Sequence, residues 1–325
     1  MDYEMRPFRD GDEQAVLDTF NLVFGADNPD FQPRTLAEWN WQYRENPAGM
    51  RLYVAMLGEL CVAAYATQPN RVEAHEGRDL MFCQGIDSMA HPEHRRGLKR
   101  PGLFVDVAQR AYDHFDEDPI VFGYPNKQAW RIGHSYLRYE LVRWQSVLAR
   151  ELGGLNPGIP DAVEEIERFG PEVDRLFQRC AKRWGAALRR DTAYLNWRFV
   201  DHPRRDYRIF VVRDAGELLG YAIFGHGDWP VPGVGMLVDF LVDADDVEVG
   251  RLLHEAIFRA TLDAGLPFVV QILPEWSPWH LRCQDWHWAA FRTDYVMGAR
   301  NTVPRFDMFF LRDHWWYTMA ELDLA

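Results

Sequence analysis

Long apolar runs are missing from this chain: no stretch approaches the ~18 apolar residues of a membrane-spanning helix, so no span is expected. The opening Met1-Asp2-Tyr3-Glu4 has neither a basic start nor an apolar run, and gives no signal-peptide pattern. Cysteine is sparse. Cys61, Cys83, Cys180 and Cys283 show no CxxC spacing, which excludes a disulfide frame or zinc motif of the usual kind and implies buried thiols in a reducing cytosol. Positive charge is also in short supply, with 36 basic against 49 acidic residues and a net charge of -13. That balance argues against a broad nucleic-acid or anionic-membrane surface and suits a cationic partner such as an amine. Of the basic residues only Lys99, Lys127 and Lys182 are lysine, which reads as coding bias rather than function. There is no GxSxG, no phosphate-binding P-loop and no HExxH, and the 11 histidines have no metal-ligand spacing, so no metal is expected.

What is present is a soluble, globular composition, 47% hydrophobic and 26% charged over 325 residues. At one domain per ~150 residues two domains are expected. The chain repeats itself. Trp41-x-Tyr43-x-x-Asn46-Pro47 recurs as Trp197-x-Phe199-x-x-His202-Pro203. Each is followed at nearly the same spacing by a strand, a turn and a strand: Arg51 to Met56, Gly58-Glu59-Leu60, Val62 to Ala66, and again Arg208 to Val212, Gly216-Glu217-Leu218, Gly220 to Phe224. Three matches in register mark a tandem duplication. In each copy a short strand leads into an acidic helix start, as the helix dipole favours. An aromatic helical stretch, the hairpin and a fourth strand follow (Leu80 to Ala90; Val234 to Val242). Then come a helix (Leu103 to Phe115; Val249 to Ala264), a buried strand ending at Pro125 or Pro274, a short helix and terminal strands. Leu152 to Pro160, rich in Gly and Pro, reads as the linker, giving domains 1–152 and 153–325.

The densest chemical signal is His91-Pro-Glu-His-Arg95-Arg96-Gly97-Leu98-Lys99-Arg100-Pro101-Gly102-Leu103. It lies between a strand and an amphipathic helix. A basic, glycine-containing turn feeding a helix N-terminus is an anion site, and a pyrophosphate is its natural occupant. The matching stretch of the second copy, Asp243-Ala-Asp245-Asp246-Val-Glu248, is acidic and would repel one. Asp87 is a second signal: an acid inside an apolar strand needs a reason. Asp239 occupies the matching place in the second copy, so the reason is either catalytic or structural.

Strand, His-Pro-x-x-Arg, glycine turn, helix, strand and then Pro125-Asn126 resembles the GNAT superfamily of acyl-CoA-dependent N-acetyltransferases, and its tandem members over nearly the whole chain. A spacer of about four residues separates the His91 to Arg95 start of the cofactor motif from its Gly102-Leu103 end, a departure from the family pattern. The resemblance implies two GNAT-like α/β domains, each a mixed, mainly antiparallel sheet flanked by helices. It implies acetyl-CoA as donor, a small-molecule primary amine as acceptor, and direct transfer in a ternary complex. Backbone donors of Met89, Ala90 and His91 would polarise the thioester; Arg95, Arg96, Gly97, Gly102 and Leu103 would hold the pyrophosphate, and Asn126 the pantetheine arm. Asp87 would be the general base. The family's usual acid falls on Gly133, so Tyr136 or Tyr124 would replace it. The C-terminal copy, without a cofactor loop, would complete the fold. Two other readings stay open: a Fem-type aminoacyl transferase, which the acidic charge opposes, and a non-catalytic acyl-CoA sensor or scaffold.

Overall fold

The first copy begins with strand β1 (Glu4–Pro7), helices α1 (Glu13–Gly25) and α2 (Leu36–Tyr43), and strands β2 (Arg51–Leu57), β3 (Leu60–Ala74) and β4 (Arg78–Ala90). Helix α3 (Leu103–His114), β5 (Ile120–Gly123), α4 (Lys127–Tyr136) and β6 (Glu140–Glu151) follow. The second copy has β7 (Val163–Ile166), α5 (Glu172–Ala181), β8 (Ala186–Leu188) and α6 (Thr192–Leu195), then β9 (Arg208–Asp214), β10 (Glu217–Gly227) and β11 (Val234–Val242). It continues with α7 (Val247–Asp263), β12 (Phe268–Gln271), α8 (Pro278–Asp285) and β13 (Ala289–Asn301). This computed structural model describes residues 2–26, 30–74, 78–95 and 101–322.

Local chemistry sets these elements. Thr35 caps α2 in a reciprocal box with Glu38, and Asp191 caps α6 in the equivalent place by accepting from the Tyr194 amide at 2.8 Å. The β2–β3 turn carries Gly58 at φ +60, and the β9–β10 turn carries Ala215 and Gly216 at φ +46 and +82, the left-handed conformations a tight hairpin requires.

The chain divides into two units. One comprises Met1–Arg71, Leu80–Leu141 and Met297–Asp307; the other comprises Val72–Asp79, Val142–Val296 and Met308–Ala325. Contiguous halves at 1–152 and 153–325 differ from these units in that Val72–Asp79 and β6 from Val142 on fall in the second unit, and the end of β13 in the first. In the first unit β1, β2 and β3 are antiparallel neighbours, β4 runs parallel to β5, and Gly298–Asn301 of β13 pairs antiparallel with β5. In the second, β7, β9, β10 and β11 are antiparallel, β11 runs parallel to β12, and β6 pairs antiparallel with β12. Each parallel strand thus has its outer edge covered rather than left open. Both sheets are mixed and mainly antiparallel, with helices against them.

Burial follows the apolar pattern. On one side of the first sheet Val16, Leu17, Phe20, Trp39 and Tyr43 pack on Leu52, Val54, Ile86 and Met89. On the other, Val105, Ala108, Ala111 and Tyr112 of α3 pack on Tyr53, Tyr65, Cys83 and Val121. The repeated tryptophans are core: Trp39, Trp41 and Trp197 are all buried. Among the described residues no helix is long and apolar enough to cross a membrane.

Candidate active site

The first unit's sheet opens between its two parallel strands. β4 and β5 pair only at Phe82–Ile120, Cys83–Val121 and Gln84–Phe122, after which β5 ends at Gly123 while β4 runs on to Ala90. Gly85 and Gly123 meet where the strands part: a Cβ on Gly123 would lie 3.5 Å from the Gly85 carbonyl oxygen. Beyond that point the edge of β4 from Gly85 to Ala90 has no β5 partner. The His91 amide donates to the Val62 carbonyl of β3 at 2.9 Å. Strand alternation then turns the amides of Met89 and His91 toward β3, and those of Ser88 and Ala90 toward the edge that β5 has left. Of the three backbone donors expected from the sequence, only Ala90 therefore faces the opening, and Ser88 joins it. The Met89 side chain is buried in the α1–α2 core.

Helix α3 begins at the same end of β4. Its N-cap, Gly102, is exposed, with extended backbone (φ -75, ψ 168), and makes no side-chain cap bond. Val105 and Asp106 bond back to the Gly102 carbonyl, so the amides of Leu103 and Phe104 head the helix with no capping side chain. Unsatisfied amides and the helix dipole together favour an anion there. Arg95 is exposed on the turn that leads toward it. Arg96 and Gly97 lie outside the described residues.

Asp87 sits in the unpaired part of β4 at φ +46, a left-handed bulge conformation that an aspartate tolerates better than most residues. Its carboxylate is ion-paired with Arg34, which contacts both oxygens, and accepts a hydrogen bond from the Tyr43 hydroxyl at 2.7 Å. Burial and then the neighbouring carboxylate push the Tyr43 hydroxyl well above its ordinary pKa. Burial alone would lower Arg34, but the Asp87 charge outweighs it and holds the guanidinium above its ordinary value. The second unit repeats the arrangement. Arg190, also just before a helix cap, pairs with Asp239 at 3.4 Å, and Asp239 accepts from Tyr221 and Thr318, each at 2.7 Å.

The tyrosines fall differently. Tyr136, in the last turn of α4, is 46% exposed, and Tyr124 is half-buried just after β5. Asn126 caps α4, its side chain accepting from the Ala129 amide at 2.9 Å. A third tyrosine, not singled out by sequence, approaches the parting of the strands. Arg138 adopts φ +60 at the end of α4, and the amides of both Leu137 and Tyr139 bond to the Gly133 carbonyl, which folds the chain back. The Tyr139 ring then lies on Gly133, 3.2 Å from where a Cβ would be, and its hydroxyl comes within 3.6 Å of the Cβ position at Gly85. That hydroxyl is linked to those of Tyr65 (3.0 Å) and Tyr112 (3.5 Å), which are 2.6 Å apart. Burial raises the pKa of all three, so they stay protonated and able to donate. The signal for Tyr139 was the glycine at 133, whose missing side chain leaves room for its ring.

The opening in the second unit is filled. β11 and β12 pair only at Gly235–Val269, Met236–Val270 and Leu237–Gln271, leaving Val238 to Val242 beyond the last pair. There the Trp279 indole of α8 donates to the Val242 carbonyl at 3.1 Å and packs edge-on against Phe240. A Cβ on Gly250 of α7 would lie 2.3 Å from that indole, so the glycine makes the room. Asp243 and Asp245, at the place of the first unit's His91 and Glu93, are ion-paired with Arg183.

No family model matches the chain. No curated protein matches it. Solved structures do. It resembles a probable N-acyltransferase of unknown function from Enterococcus faecalis V583 at 12% identity and TM-score 0.64, over 93% of this chain and 73% of that one. It also resembles a tandem GNAT protein from the clavulanic acid biosynthesis pathway at 14% and 0.57, over 93% and 99%. Saccharomyces cerevisiae N-myristoyltransferase, solved with myristoyl-CoA, matches at 13% and 0.58, over 91% and 82%. The parted parallel strands, the uncapped α3 and these neighbours agree: the chain has the GNAT fold.

Proposed function

We propose that the first unit is an acyl-CoA-dependent N-acyltransferase, moving a short acyl group, most simply acetyl, to a primary amine of a small cytoplasmic molecule. The observation that carries this is the opening between β4 and β5, with backbone amides along one edge and the α3 N-terminus at its end. The residues would fit the donor: the edge of β4 from Gly85 to Ala90 and Asn126 would hold the pantetheine arm. The pyrophosphate would be held by the amides of Leu103 and Phe104, with Gly102 and Arg95 beside them; Arg96 and Gly97, proposed for the same task, lie outside the described residues. Acyl-CoA supplies an activated thioester carbonyl. The amides of Ser88 and Ala90 are placed to stabilise charge on its oxygen, in the manner of an oxyanion hole.

Direct transfer to the amine suits this unit. Cys83 is buried beside the strand pairing and its thiol is pushed well above its ordinary pKa, chiefly by burial, so it offers no thiolate nucleophile. The neutral amine attacks the thioester carbonyl, the C–S bond breaks, and Tyr139, kept protonated and backed by Tyr65 and Tyr112, gives its proton to the leaving sulfur in preference to the exposed Tyr136 or to Tyr124; the proton shed by the amine nitrogen then restores the Tyr139 hydroxyl. Its trio also fills the α3 side of the sheet beside Gly85, which favours a short acyl group. Asp87, the base expected from the sequence, takes up a proton only against the Arg34 charge. The doubled pair in the filled second unit favours a positioning task for it, holding the bulge that presents Ser88. The second unit is not expected to bind a donor, since Trp279 fills the opening and Asp243 and Asp245 stand where the first unit has His91 and Glu93.

Calorimetric titration with acetyl-CoA tests the reading. One site per chain, lost in Arg95→Glu, together with CoA release on an amine panel, is expected. Absence of acetyl-CoA binding sinks it. Binding without turnover on any amine would make the chain an acyl-CoA sensor.

A further inference from the structure

Directly after β4 the chain makes a tight turn in which the amides of His94 and Arg95 both bond to the His91 carbonyl, while the His91 amide ties the turn to β3. The turn brings one ligand atom each from His91, Glu93 and His94 within 4.8 Å of one another. We propose that these three side chains form a binding site for a divalent transition ion of the zinc type at the mouth of the opening.

Two imidazoles and one carboxylate are the donor set that such an ion prefers over magnesium or calcium, which take oxygen. Ligands ~2.1 Å from a tetrahedral centre lie ~3.4 Å apart, so the closure needed is at most ~1.4 Å, within reach of partly exposed side chains. The rings of His91 and His94 are already in edge-to-face contact, with centroids 5.4 Å apart. His94 is oriented from behind: its Nδ1 is 3.1 Å from the Tyr3 hydroxyl, which leaves Nε2 for the metal. Such an outer partner fixes ring and tautomer in metal sites. Arg95 is exposed, so water and salt screen its repulsion. The second copy offers the contrast: the equivalents of His91 and Glu93 are aspartates bound to Arg183, with no imidazole. Three protein ligands leave an open coordination position, suited to water or to an oxygen of an anionic ligand.

The test is calorimetric titration of the full, untagged chain with ZnCl2, beside MgCl2, and without acyl-CoA. One zinc per chain is expected, with no comparable magnesium heat. His91→Ala/His94→Ala should weaken it at least tenfold, Tyr3→Phe about tenfold, as outer-partner losses do, and His134→Ala not at all. Each variant's thermal unfolding shows that it remains folded. No saturable zinc binding overturns the proposal, as does binding unchanged in the double variant. Because acetyl-CoA is titrated separately, failure of this site and failure of the acyltransferase reading are distinct results.

Discussion

The Asp87 carboxylate is held on both oxygens by Arg34, and the Tyr43 hydroxyl donates to it at 2.7 Å. The pair is mostly buried, at 15% and 21% side-chain exposure. Removing one partner of a fully buried pair costs ~3–5 kcal/mol, and residual solvent contact reduces that here to about 1–3 kcal/mol. Asp87→Asn and Arg34→Met are each expected to lower the urea unfolding midpoint at neutral pH. A normal midpoint with lost turnover in Asp87→Asn would instead return the carboxylate to the role of general base.

Much of this architecture was legible because its signals are local or periodic. The two hairpins, the strand before His91 and the helix after Gly102 stand where expected. The exchange of β6 and β13 was not legible, since which sheet edge a terminal strand covers depends on contacts far apart in sequence. Asp87 was found, but its partner was not. Arg34 and Arg190 each precede a helix cap, and nothing in that position announces an ion pair with a strand some fifty residues on. Tyr139 was missed for a related reason. It lies beyond the helix, and only the left-handed turn at Arg138 brings it back onto Gly133.

Tyr139→Phe keeps the ring and removes one hydroxyl from the trio. Loss of a positioned proton donor costs ~10²–10⁴-fold in rate. A fall of kcat toward that range is expected, with acetyl-CoA affinity unchanged and about 1 kcal/mol of stability lost with the hydrogen bonds. Tyr136→Phe, at an exposed position, is expected to leave kcat alone. The reverse pattern in steady-state kinetics would make Tyr136 the acid.

The plug in the second unit depends on the absence of a side chain at Gly250. Gly250→Ala drives a methyl into the Trp279 indole, and overpacking of this kind costs ~1–3 kcal/mol. Thermal unfolding is expected to report that loss. In the same variant, acetyl-CoA should still bind at one site per chain, because the donor lies in the other unit. A second acetyl-CoA site in the wild type would contradict the assignment of Trp279 as a stopper.

Buried His254 links stability to pH. Burial lowers its pKa to about 4; Nδ1 lies 2.8 Å from the Gly250 carbonyl and Nε2 3.2 Å from the Gln271 amide nitrogen. Unfolded, it titrates near ~6.5. Between these values the unfolded chain carries the proton and the folded one does not. The contribution of the neutral ring is therefore full above ~6.5 and lost as pH falls toward about 4, amounting to about 3 kcal/mol. His202, lowered to about 3, adds a loss of the same sign. His254→Gln is expected to be less stable at pH 7.5 yet to lose less further stability at pH 5 than the wild type. The comparison isolates one group because the carboxylates titrate alike in both proteins. Parallel urea midpoints of wild type and variant across that range would show that His254 takes up its proton in the folded state.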